Sequence, residues 1–281
     1  MEISSSNLVF HISMMQIERL RPHEEVMEPL VRSLADAIRT EGIVRDPVIV
    51  DREELVVLDG MHRLASLKRL NCRFAPCCLV DYDNPLIKVG SWFRLFTIED
   101  AETVAKDLLK ENELRYVEKE TEIVGGRADP RFTIFTKNGY CYGLQQVSDA
   151  VEVTRTAVNL EKQLTRRGFQ VDYQPESVAL QNLMSRSVDL VIAVPVFTKQ
   201  QIRELGIRGL LLPHKVTRHV MPSRPLRVDV PLSMLTVDNT SQARLDQELH
   251  ALLSARSVER KPPGSVVDGR RYEEELLVFA A

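Results

Sequence analysis

The chain has 281 residues, with 37 basic and 40 acidic side chains and a formal charge of -3. It is too long for one small domain and too evenly charged for a dedicated DNA-coating protein. A 44% hydrophobic and 27% charged composition excludes disordered and fibrous classes. Residues 188–197, the longest apolar stretch, are broken by Asp189 and Pro195, and no basic segment precedes an apolar one at the N-terminus, so neither a membrane helix nor a secretory leader is expected and the cytoplasm is the expected compartment.

Taken in chain order, residues 12–20 alternate as a short strand, and Arg21-Pro22-His23-Glu24-Glu25 is expected to open a helix. Leu30, Leu34, Ala37 and Ile38 recur at the helical period, which predicts an amphipathic helix over 29–40 that stops at Gly42. The apolar runs 47–51 and 55–58, divided by Arg52-Glu53-Glu54, predict a hairpin whose second strand leads straight into Asp59-Gly60. A helix follows with Leu64, Leu67 and Leu70 on one face and Asn71 as its C-terminal cap. Residues 74–80 then read as a strand and 98–114 as a helix.

The pattern restarts near residue 117. Charged residues and a Gly125-Gly126 break precede strands at 132–135 and 140–144, a helix at 148–166, a strand at 188–194, and a helix opened by Thr198 that ends near Gly206. Beyond residue 239 the chain reads as one helix over 240–255, a linker at 259–264, and at most an edge strand at 275–279. These elements predict a mixed α/β (α+β) protein of three parts: an N-terminal domain over 1–116, a smaller α/β domain over 117–238, and a C-terminal extension over 239–281.

Three segments could carry chemistry. A glycine turn that feeds a helix places unpaired N–H groups and a partial positive charge where an anion can sit, which suits Asp59-Gly60-Met61-His62-Arg63. The same residues suit a plain turn with Asp59 as a cap. Glu24 near a helix start can be a general base or a capping acid. Lys215, Thr217, Arg218 and His219 crowd two cations, a hydroxyl and an imidazole into five residues, either as a solvated face or as a grip on phosphate. Cys72, Cys77, Cys78 and Cys141 lack the spacing of a zinc site or a disulfide framework and read as reduced, structural thiols.

In order and spacing the three segments resemble the free L-serine kinases, a family built on a ParB/sulfiredoxin-like domain. The resemblance covers roughly residues 15–235 and leaves the last 45 or so unmatched. It implies a ParB/sulfiredoxin-like N-terminal domain, a mixed α/β C-terminal domain and an active cleft between them. The family's Pro-His-Glu segment is similar to Pro22-His23-Glu24 and implies Glu24 as the base on the serine hydroxyl. Its Asp-Gly-His-His-Arg segment is similar to Asp59-Gly60-Met61-His62-Arg63, with Met61 in place of the first His, and implies that these residues hold the nucleotide phosphates, with Asp59 on Mg²⁺. Ser91-Trp92, after Val80-Asp81-Tyr82, corresponds to the Trp that lines the serine pocket. Lys215-Val216-Thr217-Arg218-His219 corresponds to a Pro-Lys-x-Thr-Arg-His grip, here with His214 between Pro213 and Lys215.

The resemblance implies ATP or ADP as phosphoryl donor, Mg²⁺ as its ion, L-serine as acceptor, and O-phospho-L-serine for siderophore or amino-acid biosynthesis. A ParB-like nucleotide- and DNA-binding regulator is the main rival. Such proteins continue into a helix-turn-helix domain, whereas 117–235 read as mixed α/β. Sulfiredoxin-like chemistry needs a cysteine beside the phosphate turn, and Cys72 falls at the far end of the following helix.

Overall fold

The computed structural model describes residues 1–5, 8–120, 133–144, 149–237 and 240–280, the side chains of 119 and 120 excepted. The expected Gly125-Gly126 break, Phe132 and the helix start at Ser148 lie outside the described residues. The chain forms two compact units. The first comprises Met1–Lys88, Lys199–Leu211 and His219–Ala281, and the second Val89–Thr198 with Leu212–Arg218. This division differs from the expected boundaries at 116 and 238, because the C-terminal residues pack into the first unit instead of forming an extension of their own.

The first unit is built on a five-stranded sheet in the order Glu2–Ser5, Leu8–Gln16, Phe74–Val80, Val48–Asp51, Val57–Asp59. The middle strand is the expected one at 74–80; it runs antiparallel to Leu8–Gln16 and parallel to Val48–Asp51. A run such as Phe74-Ala75-Pro76-Cys77-Cys78, buried residue after residue, suits a strand covered on both faces. The expected hairpin is present, with Ile49 opposite Asp59.

Two expectations near the N-terminus are corrected. The strand ends at Gln16, and the helix begins at Glu28, not Arg21. Met27 occupies its cap and Pro29 its first turn, where a missing N–H costs nothing. Residues 21–27 run outside any helix, with Arg21 in a parallel bridge to Val56. The helix Glu28–Glu41 stops at Gly42 (φ 71°) as expected, but its buried face is Val31, Ala35 and Ile38, while Leu30 is 52% exposed. The apolar spacing was right and its phase was not: the buried Oγ of Ser66, on the helix Met61–Arg69, lies 3.0 Å from the Val31 carbonyl and fixes which side faces inward.

The C-terminal residues are integral. Leu245, Leu249 and Leu253 of the helix Gln242–Ser254 share one apolar core with Ile12, Met14, Val48, Leu64 and Leu67. Asp246 accepts hydrogen bonds from Ser13 Oγ (2.9 Å) and Met14 N–H (2.7 Å). Glu275–Ala280, expected to be an edge strand at most, is the central strand of a three-stranded sheet, parallel to Ser223–Leu226 and antiparallel to Ser257–Lys261. The run Leu276-Leu277-Val278-Phe279 is buried throughout, which only a strand flanked on both sides allows. Part of the expected linker, residues 259–261, is in the strand Ser257–Lys261.

The helix Lys199–Ile207 also belongs to the first unit and ends close to where the sequence places it. Arg203 donates to buried Asp51 (2.7 Å) and to Asp83 (2.8 Å), and Gly206 meets Val56 so closely that a Cβ there would lie 2.8 Å from a Val56 methyl.

The second unit holds an antiparallel sheet in the order Asp172–Pro175, Lys88–Phe96, Leu190–Ile192, Ile134–Thr136, Tyr140–Leu144, Tyr116–Glu120. The helices Ala101–Glu111, Ala150–Arg166 and Glu176–Met184 accompany it. Phe93, Leu95, Phe135, Leu180, Leu183 and Val191 form its core. No helix among the described residues is long and apolar enough to cross a membrane.

Candidate functional site

Gly60 turns the strand Val57–Asp59 into the helix Met61–Arg69 at φ 93°, a conformation L side chains rarely adopt. A Cβ there would lie 2.8 Å from the mobile end of Arg63, so it is the backbone conformation that calls for glycine. Gly60 has no side chain to cap this helix, and a helix N-terminus entered through a glycine turn is a natural place for an anion.

The segment carrying Glu24 is fastened to this turn by its neighbours. His23 is buried, and its Nδ1–H donates to the Val57 carbonyl at 2.8 Å. Met27 N–H donates to His62 Nε2 at 3.1 Å, so His62 braces the start of the next helix. With Arg21 bridged to Val56, residues 21–27 run beside the strand and helix that carry Asp59 through Arg63. Glu24 lies half-buried in that stretch, outside any helix and four residues before the helix Glu28–Glu41 begins.

Asp59 and Arg63 have protein partners. Arg224 Nη1 donates to Asp59 Oδ2 at 2.5 Å, and Arg224 Nε donates to Glu274 at 2.7 Å. Burial alone would raise the Asp59 carboxyl, but the Arg224 and Arg63 charges and the Arg224 hydrogen bond hold it well below the usual carboxylate range. Arg63 Nη1 donates to the Pro47 carbonyl at 2.8 Å, and Met61 is half-buried at the start of the helix.

His219 completes the first unit's share. Its Nε2 lies 2.7 Å from the Tyr82 hydroxyl, and its ring stands edge-on to His23 at 5.5 Å. Burial, with the nearby His23, lowers its pKa to about 3, and burial lowers that of His23 to about 4. Both rings are therefore neutral at physiological pH. His219 also bonds the Leu58 backbone; with Nε2 facing Tyr82, that bond runs through Nδ1–H and the Tyr82 hydroxyl donates to Nε2.

The second unit gathers the remaining residues. Lys215 Nζ lies 4.6 Å and the Arg218 guanidinium 5.5 Å from the Trp92 ring centroid, both within cation–π range. Trp92 N–H donates to the Val216 carbonyl at 3.3 Å, and its carbonyl accepts from Arg94 Nη1 at 2.7 Å. Lys215 is exposed and holds φ 59°, an uncommon left-handed setting for a lysine. Thr217 and Ser91 are buried, and Ser91 Oγ has no hydrogen-bond partner among the described residues. Arg94 is fully buried, paired with Glu161 at 2.9 Å, which also accepts from Tyr173 at 2.5 Å.

The first unit thus brings together Glu24, the 59–63 turn and His219, and the second brings together Ser91, Trp92, Lys215, Thr217 and Arg218. Sequence reasoning missed Arg224, Glu274 and Arg94, and used Tyr82 only as a landmark. An isolated basic residue such as Arg224, between prolines, carries no periodic signal, and Glu274 lies among three consecutive acids that read as solvated. The four cysteines are buried and free, and burial pushes the Cys72 thiol up to about 11, far from a reactive thiolate. No group of three or more His, Cys, Asp or Glu suited to a metal occurs among the described residues. An Mg²⁺ carried by a nucleotide needs only one or two carboxylates beside its phosphates, and ionised, partly exposed Asp59 fits that requirement.

The fold is that of the free serine kinases, mixed α/β with two units. A free serine kinase bearing a Glu-to-Gln substitution, in complex with AMP, superposes with a TM-score of 0.67 at 23% identity, over 80% of this chain and 93% of that one. In sequence the chain is SerK-like. The ATP-dependent L-serine kinase of Staphylothermus marinus is 28% identical over 236 residues, covering 79% of this chain and 90% of the relative. The ADP-dependent L-serine kinase SerK of Thermococcus kodakarensis is 25% identical over 228 residues, covering 78% and 91%. No family model matches the chain.

Proposed function

We propose that this protein transfers a phosphoryl group from ATP or ADP to the hydroxyl of free L-serine, giving O-phospho-L-serine. The observation that carries the reading is the fastening of the Glu24 segment to the Asp59–Arg63 turn through His23, Met27 and Arg21, in a chain similar along most of its length to L-serine kinases.

Phosphoryl transfer asks a protein chiefly for positioning and for charge stabilisation. First-turn N–H groups after Gly60, with His62 and Arg63, receive the nucleotide phosphates. Lys215, Thr217 and Arg218 contribute further donors to the phosphates and to serine. Trp92 and Ser91 border the amino acid. Glu24 takes the proton from the serine hydroxyl as its oxygen bonds the terminal phosphorus and the bond to the departing nucleotide breaks. His219, neutral and donating to Leu58, is oriented by Tyr82 and adds no positive charge. An Mg²⁺ held by Asp59 and the phosphates would neutralise their charge.

Such a reaction belongs where ATP and ADP are abundant, in the cytoplasm, and four reduced buried thiols suit that compartment. Its product carries a phosphate leaving group, so the consuming reactions are those that replace it, in amino-acid or siderophore biosynthesis.

The test is the purified protein with Mg²⁺, ATP or ADP in turn, and a panel of amino acids, read by mass spectrometry. Serine alone is expected to gain a phosphoryl group. Glu24→Gln is expected to lower kcat by about 10²- to 10⁴-fold while nucleotide affinity stays within about twofold. Normal turnover in the Glu24→Gln variant would remove Glu24 as the base, and a wild-type protein that phosphorylates no amino acid would defeat the reading.

A further inference from the structure

Asp59 is the acid that the kinase reading places on the nucleotide's cation, and it is held from a distant part of the chain. Arg224 is buried, 8% exposed, and its guanidinium lies between two carboxylates, Asp59 at 2.5 Å and Glu274 at 2.7 Å. Its backbone is held as firmly: Ser223–Leu226 pairs in register with Glu275–Ala280, Arg224 opposite Leu276, and Glu275 N–H donates to the Pro222 carbonyl at 3.2 Å. Leu226, Leu276, Val278, Tyr272 and Val267 pack into a separate apolar cluster around that pairing.

A guanidinium with a single carboxylate partner would be drawn to the phosphates of an arriving nucleotide, since arginine pairs readily with either group. A second carboxylate on Nε removes that freedom. It fixes the plane of the guanidinium, and the guanidinium in turn fixes Asp59 by its Oδ2. Oδ1 is then the oxygen left for the nucleotide's cation.

We infer that Glu274 and Arg224 are positioning residues for Asp59, and that the C-terminal residues serve as the anchor of the nucleotide site through this relay. The inference rests on the kinase reading for the role of Asp59, but its central quantity, nucleotide affinity, does not require turnover.

The experiment uses the full chain with Glu274→Gln, which keeps side-chain volume and one oxygen acceptor while removing the charge, and Glu274→Ala. ADP and ATP binding are measured by calorimetry with and without Mg²⁺, alongside kinase kinetics and thermal melting. Glu274→Ala is expected to weaken Mg²⁺-nucleotide binding about tenfold, the scale of one hydrogen bond to a charged group. Glu274→Gln should recover part of that loss. The KM for serine should stay within about twofold in both, and Mg²⁺-free nucleotide binding should change less than the Mg²⁺ form. The inference is overturned by Glu274→Gln binding Mg²⁺-nucleotide as the wild type does, or by serine and nucleotide constants worsening together. Should Glu274→Ala not fold, Glu274→Gln decides alone. Wild-type protein that binds nucleotide yet phosphorylates nothing would count against the kinase reading and still leave the binding comparison readable.

Discussion

At the scale of single residues, the imidazoles of His23 and His219 make stability depend on pH. His23 titrates near 4 and His219 near 3 in the folded chain, against 6.5 for an ordinary histidine. Between those values the unfolded chain binds protons that the folded chain does not, so acid favours unfolding. The contribution is complete above about pH 6.5 and is lost as pH falls towards 4, on the order of a few kcal/mol for the pair. The melting temperature is therefore expected to drop steeply from pH 7 to 4.5. In His23→Asn, whose amide still donates to Val57, the acid slope should be shallower, and an unchanged slope would contradict the assignment. The candidate residues were picked out by short polar motifs and by the resemblance their order and spacing carry. Their partners were not: nothing local connects Asp59 with Arg224, or His219 with Tyr82, because both pairings are made by distant elements of the fold.

At the scale of elements, period proved easier to read than phase or boundary. The helix ending at Gly42 and the strand at 74–80 follow their patterns, yet the former turns Val31, Ala35 and Ile38 inward while Leu30 faces water. Two adjacent apolar stripes compete on that helix, and the choice between them depends on the neighbour that carries Ser66. The helix Lys199–Ile207 gives a sharper test of packing. A Cβ on Gly206 would approach two Val56 methyl carbons to 2.8 and 3.1 Å. Gly206→Ala is expected to lower stability by about 1–3 kcal/mol in urea denaturation. A second substitution, Val56→Ala, should make the cost of the first smaller, since the clash is with its methyls.

At the scale of the whole molecule, a first unit assembled from three stretches of chain was the feature least visible in the sequence. A tail that reads as helix, linker and weak strand gives no sign that its leucines join the core of residues at the opposite end. Leu249 is fully buried in that core, so Leu249→Ala is expected to cost about 2–5 kcal/mol. The loss should appear in one cooperative transition that also abolishes nucleotide binding; a separate early transition of the tail, with binding intact, would show the tail to be dispensable.

Phe279 shares a cluster with Ile12 and Met14, and Glu275–Ala280 lies at the centre of its sheet. During synthesis, then, the segments around Ile12 and Met14 stand incomplete until the strand Glu275–Ala280 is made. Contacts of such sequence separation slow folding and leave apolar surface uncovered meanwhile. Nascent chains of this protein should lean on holding chaperones until that strand emerges, and chains terminated before it should be cleared rather than accumulate as partial enzymes.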